Sequence, residues 1–189
     1  MIQTGQQPFA EWTLFLDRDG VLNRRPGNGY VTNPDDFVWI PDSLDGLAQL
    51  AGVFRHIVVV TNQQGIGKGL MGTADLDAIH DRLMADVKSA GGRIDRIYHA
   101  AGLRSRDSYR RKPGTGMALE AKKQFPAIRF DQSMMVGDTF RDMLFGYRLG
   151  MHTMLISQHN HFPRKYYHLA AYRFNKLKDF TNFILAFDR

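Results

Sequence analysis

The 189-residue sequence contains no cysteine. Disulfide bonds and thiolate-bound metal ions are therefore excluded. A protein without disulfides suits a reducing compartment, and we expect a cytoplasmic location. No apolar run approaches the roughly 20 residues needed to span a bilayer, so we expect no membrane as a partner. The polar segment 1–11 also lacks the apolar core of a secretory signal peptide.

The balance of residue types is that of a globular protein. Hydrophobic residues make up 43% of the chain and charged residues 23%, which is typical of a domain with a buried core. The length favours a single domain over 1–189, with a core at about 12–157 and a basic C-terminal extension with a helix at 158–189. The net charge of +6 suits nucleic acid, a membrane surface or a phosphorylated substrate. We expect a monomer.

Short apolar segments alternate with helix-like segments along the chain. This alternation predicts an α/β fold, a Rossmann-like three-layer sandwich with helices on both faces of a mostly parallel sheet. No stretch is long enough for a large cap domain. Thr73 is the expected N-cap of a helix that Gly91 and Gly92 end. Strands are expected at about 13–16, 56–60, 94–98, 133–136 and 152–156, with a short edge strand at 172–174.

Polar residues follow each of the first four predicted strands. Because the carboxyl ends of parallel strands lie at one edge of a sheet, we expect these residues to converge in one crevice. They are Asp17 and Asp19 after the first strand, Thr61 and Asn62 after the second, Arg111 and Lys112 after the third, and Asp138 with Asp142 after the fourth.

These residue types are complementary around a phosphate group. Asp17 and Asp138 offer hard oxygen ligands for Mg²⁺. Thr61, Asn62 and the backbone N–H groups of the glycine-rich turn after them can cradle phosphate oxygens. Lys112 adds positive charge for the same oxygens. The set therefore favours phosphoryl transfer, in which positioning and charge neutralisation do most of the catalysis.

The two carboxylates of the Asp17-Arg18-Asp19-Gly20 stretch suit different tasks. Asp17 lies where a nucleophile would meet phosphorus and form an aspartyl phosphate. Asp19 is close enough to protonate the leaving oxygen and then deprotonate the attacking water.

A cluster of arginines precedes Lys112 in the sequence. Arg104, Arg106 and Arg110 are expected at the mouth of the crevice, where they would hold a second anionic group of the substrate. Arg18 and Arg111 are also predicted to bind substrate or phosphate. Arg25, with its neighbour Arg24, faces either the site or the solvent, and the sequence leaves both open.

The combined motifs resemble those of the haloacid dehalogenase-like phosphatase superfamily. The matching residues are Asp17-Arg18-Asp19-Gly20, Thr61, Lys112, and Gly137-Asp138 with Asp142. The resemblance implies that Asp17 is the nucleophile and a metal ligand, and that Asp19 is the acid/base and binds the metal through its backbone carbonyl. It further implies that Asp138 is the remaining carboxylate ligand, that Thr61 and Lys112 bind phosphate, and that Asp142 supports the water shell of the metal.

Four stretches are similar to one capless branch of that superfamily, over about residues 12–157. The branch holds D-glycero-D-manno-heptose 1,7-bisphosphate phosphatase and histidinol-phosphate phosphatase. Its members usually carry a zinc loop of Cys and His before the Arg-Lys-Pro motif, but here 99–110 contains His99 and no cysteine, so no zinc is expected. The four stretches are 16–23, 29–31, 61–66 and 111–113.

The resemblance implies a Mg²⁺-dependent phosphatase that acts on a small phosphorylated metabolite. The heptose bisphosphate, losing its 7-phosphate, is the leading hypothesis, and histidinol phosphate is the alternative. The positive net charge motivates a third hypothesis, a nucleic-acid 3′-phosphatase or binding protein, although we favour a small-molecule substrate over nucleic acid.

Overall fold

The computed structural model describes residues 8–27, 29–103, 109–157 and 162–187. Six strands form one sheet in the order β3-β2-β1-β4-β5-β6, and every neighbouring pair is parallel. The predicted α/β fold is therefore confirmed. The strands are β1 (Thr13–Leu16), β2 (His56–Asn62), β3 (Arg96–Ala100), β4 (Ser133–Gly137), β5 (His152–Ile156) and β6 (Tyr172–Phe174).

Helices cover both faces of this sheet, because successive strand residues point to opposite sides. On β1, Leu14 and Leu16 pack into a core cluster with residues of α1, α3 and α6. Phe15 points the other way, into a second cluster with residues of α4 and α5. The helices are α1 (Ser43–Leu50), α2 (Gln64–Gly67), α3 (Thr73–Ser89), α4 (Gly116–Gln124), α5 (Phe140–Arg148) and α6 (Leu177–Ala186).

The central strand β1 places the acidic motif at the carboxyl edge of the sheet. All four residues of β1 are buried, as expected for a strand that is covered on both faces. Leu16 lies opposite Val59 of β2 and Val136 of β4, and the Asp17 N–H extends the ladder to the Val136 carbonyl at 2.9 Å. The chain leaves β1 at the point where the strand order reverses, which is where open α/β sheets bind ligands.

Two local predictions were wrong. β3 begins two residues later than expected, because the Asp95 carboxylate and its N–H bind the N–H and carbonyl of Ile57 at 2.8 Å before regular pairing starts. Gly72, and not Thr73, is the N-cap of α3. The Asp75 carboxylate, three residues into the helix, accepts a hydrogen bond from the Gly72 N–H at 2.7 Å, as the N3 side chain of a capping box does.

The C-terminal segment completes both the sheet and the core. β6 pairs with β5 in the register Met154 to Tyr172. The α6 helix packs on α1, where Gly46 allows a close approach and its carbonyl accepts a hydrogen bond from the Thr181 hydroxyl at 3.3 Å. None of the helices in the described part of the chain combines the length and the apolar composition needed to cross a membrane.

Candidate active site

Two adjoining cavities open at the carboxyl edge of the sheet. The smaller has a volume of about 240 Å³ and is lined by predicted site residues from the ends of β1 and β2 and from the loop before α4. The larger, of about 820 Å³, is bordered by Gly20, Asp138 and residues of the C-terminal segment. Arg25, Thr139 and Arg141 line both. Of the predicted residues, the smaller cavity exposes Asp17, Asp19, Thr61, Asn62, Arg111, Lys112 and Asp142.

Asp17 lies at the centre of the acidic cluster. Its Oδ1 accepts a hydrogen bond from the Arg18 backbone N–H at 2.7 Å and lies 2.8 Å from the Lys112 Nζ. Burial and the nearby Asp142 carboxylate raise the pKa of Asp17 to about 6, against the opposing charges of Lys112 and Arg25. A carboxylate in this setting is ionised only with the help of cations, as expected of a buried group beside like charge.

Lys112 is held between two carboxylates and is almost completely buried. Its Nζ lies 2.8 Å from Asp17 Oδ1 and 2.6 Å from Asp142 Oδ1. Burial lowers the pKa of Lys112, but the two carboxylates outweigh this effect and raise it. The ammonium group is therefore charged and fixed beside the predicted nucleophile.

Asn62 positions Lys112 through its backbone. The Asn62 amide accepts a hydrogen bond from the Lys112 N–H at 2.9 Å and donates one to the Lys112 carbonyl at 3.1 Å. Asn62 was also predicted to bind phosphate, and this remains a prediction, because the residue lines the smaller cavity and an amide NH₂ carries a second N–H.

Asp142 joins the lysine to the start of α5. Its Oδ2 accepts hydrogen bonds from the Thr139 N–H at 2.9 Å and the Thr139 hydroxyl at 2.5 Å, which caps the helix. A Cβ at Gly137 would lie 2.2 Å from the Asp142 Cβ. Only glycine therefore permits this approach, which explains the Gly137-Asp138 pair in physical terms.

Asp19 is held by four separate donor groups. Arg18 contacts it at 2.9 and 3.0 Å through Nη2 and at 3.3 Å through Nε, while Asn23 and Gln63 donate at 3.0 and 2.7 Å. Burial raises the pKa of Asp19, but Arg18 and these hydrogen bonds outweigh it and lower the pKa. Asp19 is therefore ionised in this arrangement.

The prediction that Arg18 binds substrate does not fit its position. The Arg18 side chain has no exposed surface, and its guanidinium is engaged with Asp19 and with His80 Nε2 at 3.3 Å. Burial and the charge of Arg18 lower the pKa of His80 to about 3. A neutral His80 on α3 accepts a hydrogen bond from Arg18, and so Arg18 orients Asp19 from behind.

Gln63 is a site residue to which sequence reasoning assigned no role. Its Nε2 donates to Asp19 Oδ2 and to the Thr61 hydroxyl, both at 2.7 Å. Thr61 is fully buried apart from the face that lines the cavity, and accepting from Gln63 leaves its hydroxyl proton for a ligand. The sequence offered one indication of this role, namely that Gln63 follows Thr61 by two residues at the end of the same strand.

The glycine-rich turn does not offer all of the backbone donors that were predicted. The N–H groups of Gly67 and Gly69 donate to the carbonyls of Ala101 and Ile66, at 3.0 and 2.9 Å. A Cβ at Gly67 would lie 2.8 Å from the Ala101 carbonyl. Gly67 lets the turn pack against the loop after β3, and the N–H groups of Gly67 and Gly69 are both engaged in these hydrogen bonds rather than offered to phosphate.

Three carboxylates have the chemistry of a divalent-cation site. Oxygens of Asp17, Asp138 and Asp142 lie within 4.8 Å of one another. Burial and the two neighbouring carboxylates raise the pKa of Asp138 to about 8, despite the proximity of Arg25. Hard carboxylate oxygens gathered in this way fit Mg²⁺. Arg25 also contacts this cluster, and its Nη2 donates a hydrogen bond to Asp138 Oδ1 at 2.8 Å.

The predicted arginine cluster is only partly described. Arg104 and Arg106 lie outside the described residues. Arg110 pairs with Glu120 through two contacts of 3.0 Å, which does not match its predicted role at the crevice mouth. Arg111 lines the smaller cavity and donates to Gln64 at 3.2 Å.

Comparisons with known proteins identify the family of this chain. The family model described as polynucleotide kinase 3 phosphatase matches residues 14–180. A D-glycero-alpha-D-manno-heptose-1,7-bisphosphate 7-phosphatase from Mycobacterium bovis is 40% identical over 133 residues, which covers 70% of each chain. A D-glycero-beta-D-manno-heptose-1,7-bisphosphate 7-phosphatase from Bordetella bronchiseptica is 31% identical over 147 residues, covering 78% of this chain and 81% of that protein.

A solved structure shows the same architecture. The D,D-heptose 1,7-bisphosphate phosphatase from B. bronchiseptica, complexed with magnesium and phosphate, superposes with a TM-score of 0.81 at 27% identity, covering 93% of this chain and 98% of the other. The chain therefore belongs to the haloacid dehalogenase-like phosphatase family. Within that family its similarity extends to the heptose bisphosphate phosphatases.

Proposed function

We propose that this protein is a Mg²⁺-dependent phosphatase that removes the 7-phosphate of D-glycero-D-manno-heptose 1,7-bisphosphate. The observation that carries the proposal is the meeting of Asp17, Asp142 and Lys112 within 2.8 Å contacts at the carboxyl edge of the sheet. Relatives at 31–40% identity that are named for this reaction support the choice of substrate.

The metal ligands in this proposal are the Asp17 and Asp138 carboxylates and the backbone carbonyl of Asp19. Asp142 would support the metal through its water shell. When bound, Mg²⁺ neutralises charge on the carboxylates and on the phosphate. The magnesium in the similar solved structure supports this assignment. We propose no zinc for this chain, because it has no cysteine to supply thiolate ligands.

Asp17 is the proposed nucleophile. One of its carboxylate oxygens attacks phosphorus, the bond from phosphorus to the C7 oxygen breaks, and an aspartyl phosphate forms. Lys112 holds Asp17 in place and offers its ammonium to the phosphate oxygens. Thr61 would donate its hydroxyl proton to the same group, since its oxygen already accepts from Gln63.

Asp19 is the proposed proton carrier. Its acid form gives a proton to the C7 oxygen, and its carboxylate then takes a proton from the water that attacks the aspartyl phosphate and releases inorganic phosphate. The lowered pKa of Asp19 matches the second task. To act as the acid, Asp19 must first become protonated, and this requires it to give up part of its contact with Arg18 when substrate binds.

The second phosphate of the substrate needs its own cations. Arg111 and Arg141 line the smaller cavity, and guanidinium groups bind phosphate with paired hydrogen bonds. We therefore assign the second phosphate to these two side chains. Arg104 and Arg106 keep the same proposed role, whereas the ion pair of Arg110 with Glu120 favours a supporting role for that residue.

A phosphate-release assay with a matched substrate panel tests the proposal. The panel contains the alpha and beta anomers of the heptose bisphosphate, histidinol phosphate and a 3′-phosphorylated oligonucleotide, each with Mg²⁺ and with EDTA. We expect Mg²⁺-dependent release from one or both heptose anomers, with kcat/KM at least about tenfold above the other substrates. Preferred hydrolysis of histidinol phosphate would contradict the heptose assignment and identify the protein as a histidinol-phosphate phosphatase.

A nucleic-acid 3′-phosphatase is the second candidate, because the matching family model carries that description and the net charge is +6. A nucleic-acid substrate predicts a KM that rises steeply with salt, since phosphate contacts release counterions. A small sugar phosphate makes few such contacts, so its KM should change much less. Measuring KM for the oligonucleotide and for the heptose bisphosphate over a series of salt concentrations distinguishes the two candidate functions.

Three further points belong to the same proposal. We propose that 1–189 forms one domain, supported by the pairing of β6 with β5 and the packing of α6 on α1. The enzyme would act as a monomer, since no expected site residue requires a second chain. A cytoplasmic location is supported by the cysteine-free sequence.

A further inference from the structure

Arg25 contacts all three residues that are proposed to ligate the metal. Its Nη2 lies 2.8 Å from Asp138 Oδ1 and 3.8 Å from Asp17 Oδ2, and its Nε donates to the Asp19 backbone carbonyl at 3.0 Å. These are the same two carboxylates and the same carbonyl that were assigned to Mg²⁺. One guanidinium therefore lies across the complete proposed ligand set.

Gly20 makes this contact possible. It adopts a φ of +95°, and a Cβ there would lie 2.1 Å from Asp138 Oδ2 and 3.0 Å from Arg25 Nε. A side chain at this position would force apart the arginine and the carboxylate. The turn after β1 is thus shaped to let a bulky cation approach these oxygens.

The electrostatics of the cluster explain why a cation is favoured there. Lys112 pairs with Oδ1 of Asp17 and with Asp142. Arg25 takes the other side of the cluster, contacting Oδ2 of Asp17 and Asp138. Without Arg25, Asp138 would lose its closest cation while facing the carboxylates of Asp17 and Asp142, and like charges at this separation repel.

Arg25 is also the cation that can leave. Its side chain is 49% exposed, against 1% for Lys112, and it borders both cavities. A divalent cation and this guanidinium cannot both occupy the space between the same three oxygens.

We infer that Arg25 is an internal competitor of the divalent metal, a side chain that binds the metal's ligands and must be displaced when the metal binds. Arg25 thereby lowers the metal affinity and keeps the acidic cluster stable before the metal arrives. This inference rests on the proposed metal ligands and not on the identity of the substrate.

Calorimetric titration of the EDTA-treated, dialysed protein with MgCl₂ tests the inference, without any measurement of activity. Arg25→Gln should bind Mg²⁺ roughly tenfold more tightly than the wild type, because the competing charge is gone. Arg24→Gln is the matched control, since it removes the same charge one residue away, from a side chain that borders only the larger cavity. We expect the control to change the Mg²⁺ affinity less than about threefold, because salt screens the interaction between the metal and a more distant charge.

Arg25→Lys provides a second variant that keeps the charge. A single ammonium group cannot span the carbonyl and both carboxylates as the guanidinium does, so its Mg²⁺ affinity should lie between those of the wild type and Arg25→Gln. Thermal melts supply an independent readout. Metal-free Arg25→Gln should melt below the metal-free wild type, and its melting temperature should rise more on addition of Mg²⁺.

The possible failures are distinguishable. If Arg25→Gln binds Mg²⁺ no better than Arg24→Gln while Asp138→Asn loses binding, the competition is refuted and the proposed metal site stands. If neither the wild type nor Arg25→Gln binds Mg²⁺, both the competition and the Mg²⁺ dependence of the proposed function fall.

Discussion

The acidic cluster has two cations, and they differ in almost every physical respect. Lys112 is buried, lies 2.6 and 2.8 Å from two carboxylates, and is fixed through its backbone by Asn62. Arg25 is half exposed, has one close carboxylate contact of 2.8 Å, and comes from a loop. A buried ion pair is costly to break, whereas an exposed one contributes little. The first cation therefore belongs to the folded framework, and the second can exchange with a ligand.

Removing the carboxylate that both cations share should have the largest effect. Asp17→Asn retains the shape of the side chain but cannot form an acyl phosphate. We expect turnover to fall by about four orders of magnitude and the phosphoenzyme to disappear. Acid-quench trapping with radiolabelled substrate measures the phosphoenzyme. A trapped phosphoenzyme in this variant would place the nucleophile elsewhere.

Replacing Lys112 should separate the buried cation from the exposed one. Lys112→Met leaves Asp17 and Asp142 buried without their shared partner, and we expect a loss of about 3–5 kcal/mol in the free energy of unfolding. Arg25→Met should cost only about 0–1 kcal/mol. Urea denaturation without metal measures both. Equal losses would remove the distinction between a framework cation and an exchangeable one.

A smaller effect on activity should follow from removing the hydrogen bonds that hold the backbone of Lys112. Asn62→Ala removes both hydrogen bonds to the Lys112 backbone. We expect kcat to fall roughly 10- to 100-fold with little change in KM, since a misplaced lysine affects the reaction more than binding. Steady-state kinetics supply both constants. An increase in KM with an unchanged kcat would instead support the original prediction that Asn62 binds phosphate.

The effect expected to be smallest at neutral pH concerns a third cation, the buried Arg18, through its partner His80. The pKa of His80 in the folded protein is about 3, below the value of about 6.5 in an unfolded chain. The unfolded state therefore takes up a proton that the folded state does not, and stability falls as the pH drops from about 6.5 toward 3. For one proton the slope is at most about 1.4 kcal/mol per pH unit.

His80→Gln should reduce this slope, because glutamine can accept a hydrogen bond from Arg18 without titrating. Urea denaturation of the wild type and the variant over a pH series measures the difference. His168→Gln, at an exposed position, is the matched control and should leave the slope close to that of the wild type. An identical slope in all three proteins would show that the burial of His80 does not limit stability in acid.

Local pattern was sufficient for most of the fold. The apolar run before Asp17 predicts a buried strand, and the structure has β1 there with all four residues buried. The alternation of strands and helices predicts a parallel sheet, and parallel strands bring Asp17 and Asp142 together although 125 positions separate them, so that both contact Lys112. These predictions succeed because burial and strand direction depend on short stretches of sequence.

Side-chain partners were less predictable from the same sequence. Arg18 was predicted to bind substrate on the basis of its charge. In the structure it is completely buried and contacts Asp19 and His80, the latter 62 positions away. Asn62 has the chemistry of a phosphate ligand, and its sequence position did not show that its amide also holds the N–H and the carbonyl of Lys112. A polar side chain binds whichever group the fold brings near, and that group is often distant in the sequence.

The sequence by itself determined the reaction class, because two aspartates after a buried strand, a threonine, a lysine and a later Gly-Asp pair lie at or beyond the carboxyl ends of successive strands. Only the tertiary structure decided how the charges divide among these groups. It made Lys112 a buried counter-ion, turned Arg18 toward Asp19, and placed Arg25 on the proposed metal ligands. The physical reason is that strand formation depends on neighbours in sequence, whereas electrostatic energies depend on distances and burial that only the packed chain defines.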